Sequence, residues 1–213
     1  AAARSADARV RRGAATALAN AENEDGADVL DRLLSDGEPT VRAVAVQSVA
    51  DRTLSSRLAR LIAMTEDPAP EVRTVLATGL GRFESPDAAA ALQALSRDTD
   101  PSVRGAVAES AATLPDPAGN EILARLAKDR DGYVRTTVVR ASGKRGDPAS
   151  LERLRQATTD SEIMVRVSAL IEIGRLGDSG SFEAVREALS DPVESVRDAA
   201  RTAMKSVRPP VSN

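Results

Sequence analysis

The sequence lacks the residues on which much catalytic and metal chemistry depends. Its 213 residues include no Cys, no His and no Trp, and the aromatic residues are only Phe83, Tyr133 and Phe182. Without Cys there is no disulfide and no thiolate nucleophile, and without His there is no Ser-His-Asp triad and no zinc site of the usual nitrogen and sulfur type. We therefore expect a protein that is not an enzyme and that holds no cofactor and no metal.

The sequence also lacks a strong charge of one sign and a long hydrophobic run. The 29 basic and 32 acidic side chains nearly balance, which is not typical of a dedicated nucleic-acid binder. No apolar run approaches the roughly 18 to 20 residues that span a bilayer, and no signal peptide opens the chain. We expect no membrane span and a cytoplasmic location. The hydrophobic share of 42% is too high for an intrinsically disordered chain.

A repeat of 31 residues runs through the chain. The dipeptide Val-Arg recurs at this spacing seven times, beginning at Val10, Val41, Val72, Val103, Val134, Val165 and Val196. An Asp stands five residues before the Val in every unit except the first, where Ser5 takes its place. We treat the chain, residues 1–213, as one repeat domain with the units 5–35, 36–66, 67–97, 98–128, 129–159, 160–190 and 191–208.

Each unit reads as two helices, and no segment alternates with the period of a strand. Prolines such as Pro39, Pro70 and Pro101 stand where a first-turn proline costs no hydrogen bond, so one helix should run from about two residues before each Val to about eleven after it. The pairs Ser85-Pro86, Asp116-Pro117 and Asp147-Pro148 predict the N-terminus of a second, Leu-rich helix. Gly143, Gly146, Gly174 and Gly177 suit left-handed helix ends, and Pro209-Pro210 predicts the final stop.

The repeated pattern Asp-x-x-x-x-Val-Arg-x-x-Ala, with a Gly-Asp-Pro-like turn and a Leu-rich helix, resembles the short HEAT-like repeats of the phycobilisome-lyase type. The resemblance covers residues 5 to 208. It implies an all-α fold, a right-handed α-solenoid of about seven two-helix repeats, with the Val-Arg helix on the concave side and the Leu-rich helix on the convex side. The first Val-Arg helix has no helix before it to cover Val10, Ala14 and Leu18, so we expect the chain to be part of a larger, bacterial-type protein.

The repeated Asp and Arg have a structural and a functional interpretation. Each Arg can pair with the Asp of its own or a neighbouring repeat and tie the turns together, or the arginines can form a row that binds carboxylates or phosphates. Identical placement in every repeat favours the structural role. The residues concerned are Asp36, Arg42, Asp67, Arg73, Asp98, Arg104, Asp129, Arg135, Asp160, Arg166, Asp191 and Arg197.

Residues 129–159 carry an excess of three positive charges. Arg140 and Lys144 lie one helical turn apart, and Tyr133 stands at the start of the same predicted helix. The excess is either a docking spot for an anionic group or a solvated face that pairs with acidic neighbours.

Side chains two and six positions after each Val should line the exposed face of the Val-Arg helices. They are small and vary between repeats, as a partner surface would. Val167 and Ile171 form a hydrophobic contact spot if this register is right, and core if it is not. Together with the residues above, the candidate partner-binding set is Arg12, Gln47, Thr78, Glu109, Tyr133, Arg140, Lys144, Val167 and Ile171.

Asp98/Asp100 and Asp129/Asp131 are close carboxylate pairs, but they stand in polar turns and show no EF-hand spacing. The sequence therefore favours a non-catalytic scaffold or adaptor that binds a protein partner on its concave face, with other domains of the same parent chain as further candidate partners. Two alternatives stay open. One is a nucleic-acid-binding module whose inner arginines contact phosphates, and the other is a regulatory domain of a fused enzyme.

Overall fold

The computed structural model describes residues 2–20 and 26–209, which are helical with connecting turns and contain no strand. Within these two ranges, thirteen α-helices alternate between two kinds. The Val-Arg helices are α1 Ala8–Leu18, α3 Pro39–Asp51, α5 Pro70–Leu80, α7 Pro101–Ala111, α9 Gly132–Arg145, α11 Ile163–Leu176 and α13 Glu194–Ala203. The Leu helices are α2 Ala27–Leu33, α4 Leu58–Ile62, α6 Pro86–Leu95, α8 Ala118–Leu126, α10 Pro148–Ala157 and α12 Phe182–Ala188. The all-α prediction is confirmed.

Every Val-Arg helix begins two residues before its Val, as the sequence predicts. In α3, α5 and α7 the first residue is the expected proline. In α9 the side chain of Asp131 accepts a hydrogen bond from the backbone N–H of Tyr133 at 2.9 Å and caps the helix. The helix ends are less regular: α13 stops at Ala203, six residues before Pro209, and Pro210 lies outside the described residues.

The Leu helices begin as predicted at two of the three marked positions. Ser85 and Asp147 cap α6 and α10 through their side chains. The third prediction is wrong, because α8 begins at Ala118 and Pro117 occupies its cap position. The Asp116 carboxylate instead accepts hydrogen bonds from Arg145 and Asn120.

The glycine prediction is half right. Gly146 and Gly177 have φ values of +64° and +66° and end α9 and α11 in the left-handed conformation. Gly143 and Gly174 lie inside those helices, and their role is close approach. A Cβ on Gly174 would come within 2.9 Å of the Ala203 Cα, so the glycine lets α11 and α13 pack backbone to backbone.

The chain divides into two compact units, Ala1–Ser110 and Ala111–Asn213. In the first unit α1, α3 and α5 pack side by side, and the Leu helices pack against them. Val41, Val72 and Leu61 are fully buried. Hydroxyl groups connect neighbouring Val-Arg helices, since the Ser48 Oγ donates to the Ala15 carbonyl at 2.9 Å.

In the second unit α9, α11 and α13 pack side by side in the same way, with α8, α10 and α12 as their Leu helices. Val165, Leu154 and Val185 belong to one continuous core. Here Arg175 of α11 contacts the end of α9, the preceding Val-Arg helix. The Arg175 Nη2 donates to the Gly143 carbonyl at 2.5 Å, which supplies a partner to a carbonyl that the end of a helix leaves open.

Candidate functional site

The repeated Asp and Arg form bidentate ion pairs between successive repeats. The Arg42 guanidinium donates from Nε and Nη2 to the two carboxylate oxygens of Asp67, each at 2.7 Å. Its Nη1 donates to the Asp36 carbonyl at 2.8 Å, within its own repeat. One Arg therefore joins the turn of its own repeat to the turn of the next.

The same geometry recurs in both units. The further pairs between an Arg and the Asp of the next repeat are Arg73–Asp98, Arg135–Asp160 and Arg166–Asp191. Arg11 pairs in the same way with Asp36 at 2.6 Å. Its own repeat has Ser5 in place of the repeated Asp. Arg104 and Arg197 donate to the carbonyls of Asp98 and Asp191, and the Asp129 carboxylate accepts from the backbone N–H of Asp131.

The ion pairs shift the pKa of both partners. The hydrogen bonds that Arg73 donates to the Asp98 carboxylate raise the pKa of Arg73, although burial opposes this rise. Burial alone would raise the pKa of Asp98, but hydrogen bonds from Arg73 and from the backbone of Asp100 outweigh it, so that pKa lies below its ordinary value. The guanidinium donors are engaged in the turns between helices, which leaves little of this row to meet a phosphate.

Side chains from the predicted partner surface are mostly exposed. In the first unit Arg12, Thr78 and Glu109 are exposed and Gln47 is half-buried. Thr78 donates back to the Thr74 carbonyl of its own helix, and Gln47 donates to Asp51 one turn later. These contacts are local, within one helix each.

In the second unit the predicted surface is different, because it includes exposed apolar side chains. Tyr133 on α9 and Ile171 on α11 are 53% and 57% exposed. Val167 is half-buried and packs against the core, so it is intermediate between the two outcomes that the sequence left open. Since α9 and α11 are neighbours, these side chains stand on adjoining helices.

Sequence reasoning missed two exposed apolar residues of α11, Ile163 and Met164, which are 41% and 64% exposed. A signal was present in the repeat register. The residue just before Val is Thr40, Glu71 or Ser102 in three earlier repeats, and Tyr133 and Met164 break that column. Met164, Val167 and Ile171 follow helical spacing and form one stripe. We call Tyr133, Met164, Val167 and Ile171 the apolar patch.

The basic excess of residues 129–159 is partly paired and partly free. The Arg145 guanidinium bonds the carboxylates of Asp116 and Asp147, and Arg155 pairs with Glu152 and Asp178. These arginines follow the solvated-face interpretation, in which acidic neighbours neutralise them.

Arg140 and Lys144 behave differently. Both are exposed on α9, and neither forms an ion pair with any residue that the structure describes. Their charges are available to an anionic group, as the docking interpretation requires.

Asp147 is a carboxylate partner of Arg145, one of the ion-paired arginines of residues 129–159. Burial would raise its pKa, but the hydrogen bonds from the Ser150 N–H, Arg145, the Ser150 hydroxyl and Asn120 lower the pKa of Asp147 to about 2. The carboxylate therefore stays ionised and holds the turn between α9 and α10.

Within residues 2–20 and 26–209, no group of three or more Asp or Glu side chains is arranged to hold a metal ion. In the same part of the chain, no helix is long and apolar enough to cross a bilayer.

Comparison with known proteins identifies the architecture. A profile of HEAT repeats matches residues 1–80, 58–135, 89–166 and 119–205. No curated protein sequence matches the chain.

Solved structures show the same fold. The complex of CpcE and CpcF of phycocyanin lyase from Nostoc sp. PCC7120 is 21% identical, with a TM-score of 0.58 over 96% of this chain and 84% of that one. YibA from E. coli is 18% identical, with a TM-score of 0.62 over 95% of this chain and 78% of that one. Because one of these structures is of a lyase, the fold alone does not make this chain a non-enzyme. The repeats matched along its length place the chain in the HEAT-repeat family.

Proposed function

We propose that this chain is a non-catalytic scaffold or adaptor that binds a protein partner through the exposed face of its Val-Arg helices. One observation carries the proposal. Of the five large hydrophobic side chains that are most exposed among the described residues, four lie on the neighbouring helices α9 and α11. Contact between water and an apolar cluster is unfavourable, so a cluster of this kind on a solvent-exposed surface is typical of an interaction site.

The charges beside the apolar patch indicate the chemistry of the partner. Tyr133 begins the exposed stripe of α9, and Arg140 and Lys144 continue it without ion pairs among the described residues. A partner segment with apolar side chains and acidic residues beside them would bury the patch and neutralise these two cations. We propose an acidic, amphipathic protein segment as the ligand of this surface.

We propose that four polar residues of the first unit, the exposed Arg12, Thr78 and Glu109 and the half-buried Gln47, form a second, weaker contact region. Small or flexible polar side chains are typical of the rim of a protein–protein interface, and not of the central residues that contribute most of the binding energy. Other domains of the same parent chain remain candidates for the partner, and we propose that the interaction takes place in the cytoplasm.

The nucleic-acid alternative is not favoured. It needs the arginines of the Val-Arg helices to contact phosphates, whereas Arg42, Arg73, Arg135 and Arg166 each pair with an aspartate. It predicts duplex-DNA binding that weakens steeply with salt. Binding of this kind at low salt would favour it over the protein scaffold.

The proposal is tested by capturing partners from the native host with the wild-type chain and with a Met164→Glu/Ile171→Glu variant. Both substitutions replace exposed side chains, so the fold should survive, as circular dichroism will check. An Ala90→Glu/Ala94→Glu variant, which adds the same two charges at exposed positions of α6, is the matched control.

We expect a protein that binds the wild type and the control directly when purified, and binds the patch variant at least about tenfold more weakly. A partner that binds all three proteins alike would remove the apolar patch as the site.

A further inference from the structure

The second unit contains a cavity of about 310 Å³ between α8, α9 and α10. Its apolar wall includes Val138, Val139 and Ala157, and its polar wall includes Ser142 and Arg153. A cavity of this size lies at the lower end of the range for small-molecule sites, about 300 to 1,000 Å³. It is separate from the apolar patch, which lies on the exposed faces of α9 and α11.

The cavity wall includes one residue that is smaller than its counterparts in the preceding repeats. The position of Ala157 is Leu33, Met64, Leu95 or Leu126 in the four preceding repeats, and each of these side chains is buried. Alanine recurs at this position in the next repeat, as Ala188. The small side chain of Ala157 contributes room to the cavity that it lines.

The same repeat carries polar side chains at two positions where the preceding repeat carries buried apolar residues. Ser142 is fully buried, and the equivalent position in the other repeats is always apolar: Leu18, Val49, Leu80, Ala111, Ile173 and Met204. Arg153 replaces the fully buried Ile122 of the preceding repeat and the Ala184 of the following one. Two polar substitutions therefore face one cavity.

Arg153 is held in place by neutral oxygens only. Its Nε donates to the Ser142 Oγ at 3.2 Å, and its Nη2 donates to the Asn120 Oδ1 at 2.5 Å and the Ser150 Oγ at 2.8 Å. Its Nη1 makes no hydrogen bond, and no carboxylate of the described residues forms an ion pair with it. A guanidinium in this position is oriented but not neutralised by contact, and an anion is the natural partner for its free donor.

The charges around the cavity favour an anion. Arg135 is neutralised by Asp160, its partner in the ion pair. Lys128 stands exposed at the rim and forms no ion pair with a described residue. Asp147 and Asp116 act on Arg153 from a distance, but both bond Arg145 instead. Burial lowers the pKa of Arg153, as expected for a cation withdrawn from water.

We propose that this cavity binds a small organic carboxylate. The carboxylate meets the free Nη1 of Arg153, with Lys128 adding charge at the rim. The apolar body of the ligand, a short aliphatic chain, fills the space that Ala157 leaves open against Val138 and Val139.

The proposal is tested by titrating the ¹⁵N-labelled chain with sodium hexanoate and following its amide signals. Hexan-1-ol is the probe of the same shape without charge, and sodium phosphate is the anion without an apolar body. We expect saturable shifts with hexanoate at Val138, Ser142 and Ala157, and binding at least about tenfold weaker with hexan-1-ol, as the loss of a charged hydrogen bond implies.

Variants separate the cavity from the charge. Ala157→Leu restores the residue of the preceding repeats, so the chain should fold, and hexanoate binding should disappear because the space is filled. Arg153→Ile restores the residue of position 122 and should weaken binding about tenfold or more. Lys128→Gln should weaken it a fewfold, and Lys205→Gln, in the exposed turn that follows α13, is its matched control.

Three results would overturn the proposal. They are the absence of saturable shifts at the cavity residues, equal affinity for hexanoate and hexan-1-ol, and unchanged hexanoate affinity in Ala157→Leu. Phosphate that binds as tightly as hexanoate, and still binds Ala157→Leu, would assign the shifts to a surface anion and overturn it as well. None of these results depends on Arg153→Ile being folded.

Discussion

At the scale of single residues, the arginine after each Val acts as a connector. In Arg73 the side chain is 13% exposed, and it joins the Asp98 carboxylate to the Asp67 carbonyl. Its three nitrogens thereby satisfy groups in two successive turns. Removing it would leave Asp98 with its charge withdrawn from water and its strongest partner lost.

We predict that Arg73→Ala lowers the free energy of unfolding by about 2 kcal/mol, the magnitude of a hydrogen-bonded charge that loses its partner. The matched control is Arg186→Ala, which removes a pair with Glu183 in which both side chains are more than 60% exposed. A change below about 0.5 kcal/mol is expected there. Urea denaturation measures both. Equal losses in the two variants would contradict a special role for the buried pair.

Asp147 makes the stability of the fold depend on pH, and the direction of this dependence follows from the pKa of its carboxyl group. The folded value is about 2, whereas the unfolded chain titrates near the ordinary aspartate value of about 3.9. The carboxylate therefore stabilises the fold fully above about pH 4, and this contribution is lost as the pH falls towards about 2.

We predict that Asp147→Asn removes about 2 kcal/mol at pH 7 and makes the unfolding free energy less dependent on pH between about 4 and 2. Denaturation curves at several pH values measure both effects. Asp28→Asn is the control, since that side chain is 98% exposed. An acid dependence as steep in Asp147→Asn as in the wild type would show that other carboxylates carry it.

At the scale of helices, small residues set how closely neighbours pack. Gly174 lets α11 approach α13 so closely that a Cβ would meet the Ala203 backbone. Gly13 of α1 has nothing within 4 Å of the same position. The two glycines are both helical, but only one is needed for packing.

We predict opposite signs for the two alanine substitutions. Gly174→Ala should lower the unfolding free energy by about 1 to 3 kcal/mol, because the neighbouring backbone has to move. Gly13→Ala should raise it by up to about 1 kcal/mol through helix propensity alone. Thermal denaturation of both variants compares them, and stabilisation by Gly174→Ala would show that α11 and α13 are not packed as described.

At the scale of the whole molecule, stability should follow how much of each helix is buried, because each repeat contacts its neighbours. Only Ala15 of α1 is buried, whereas α5 buries Val72, Leu76, Ala77, Gly79 and Leu80. We predict that the amides of α1 exchange with solvent much faster than those of α5. Hydrogen exchange with mass spectrometry measures this difference. Equal protection would mean that the chain unfolds in one step.

The sequence by itself determined the number and kind of the elements. A period of 31 residues, prolines in the first turn and apolar spacing are local properties, so every Val-Arg helix begins where the pattern places it. The Asp and Arg that recur in the repeats likewise predicted a contact that is repeated along the chain. The sequence left open whether an Arg reaches the Asp of its own repeat or of the next, because that depends on the distance between turns.

Only the tertiary structure decided what depends on neighbouring helices. It placed Gly143 and Gly174 at close helix contacts, although their positions in the sequence suggested helix ends. It also showed that Met164 is exposed, as Ile171 of the same helix is. It also showed that Ala157 lines a cavity. The physical reason is the same throughout: packing and exposure are set by which side chains face one another across elements, whereas periodicity records only the face of a single helix.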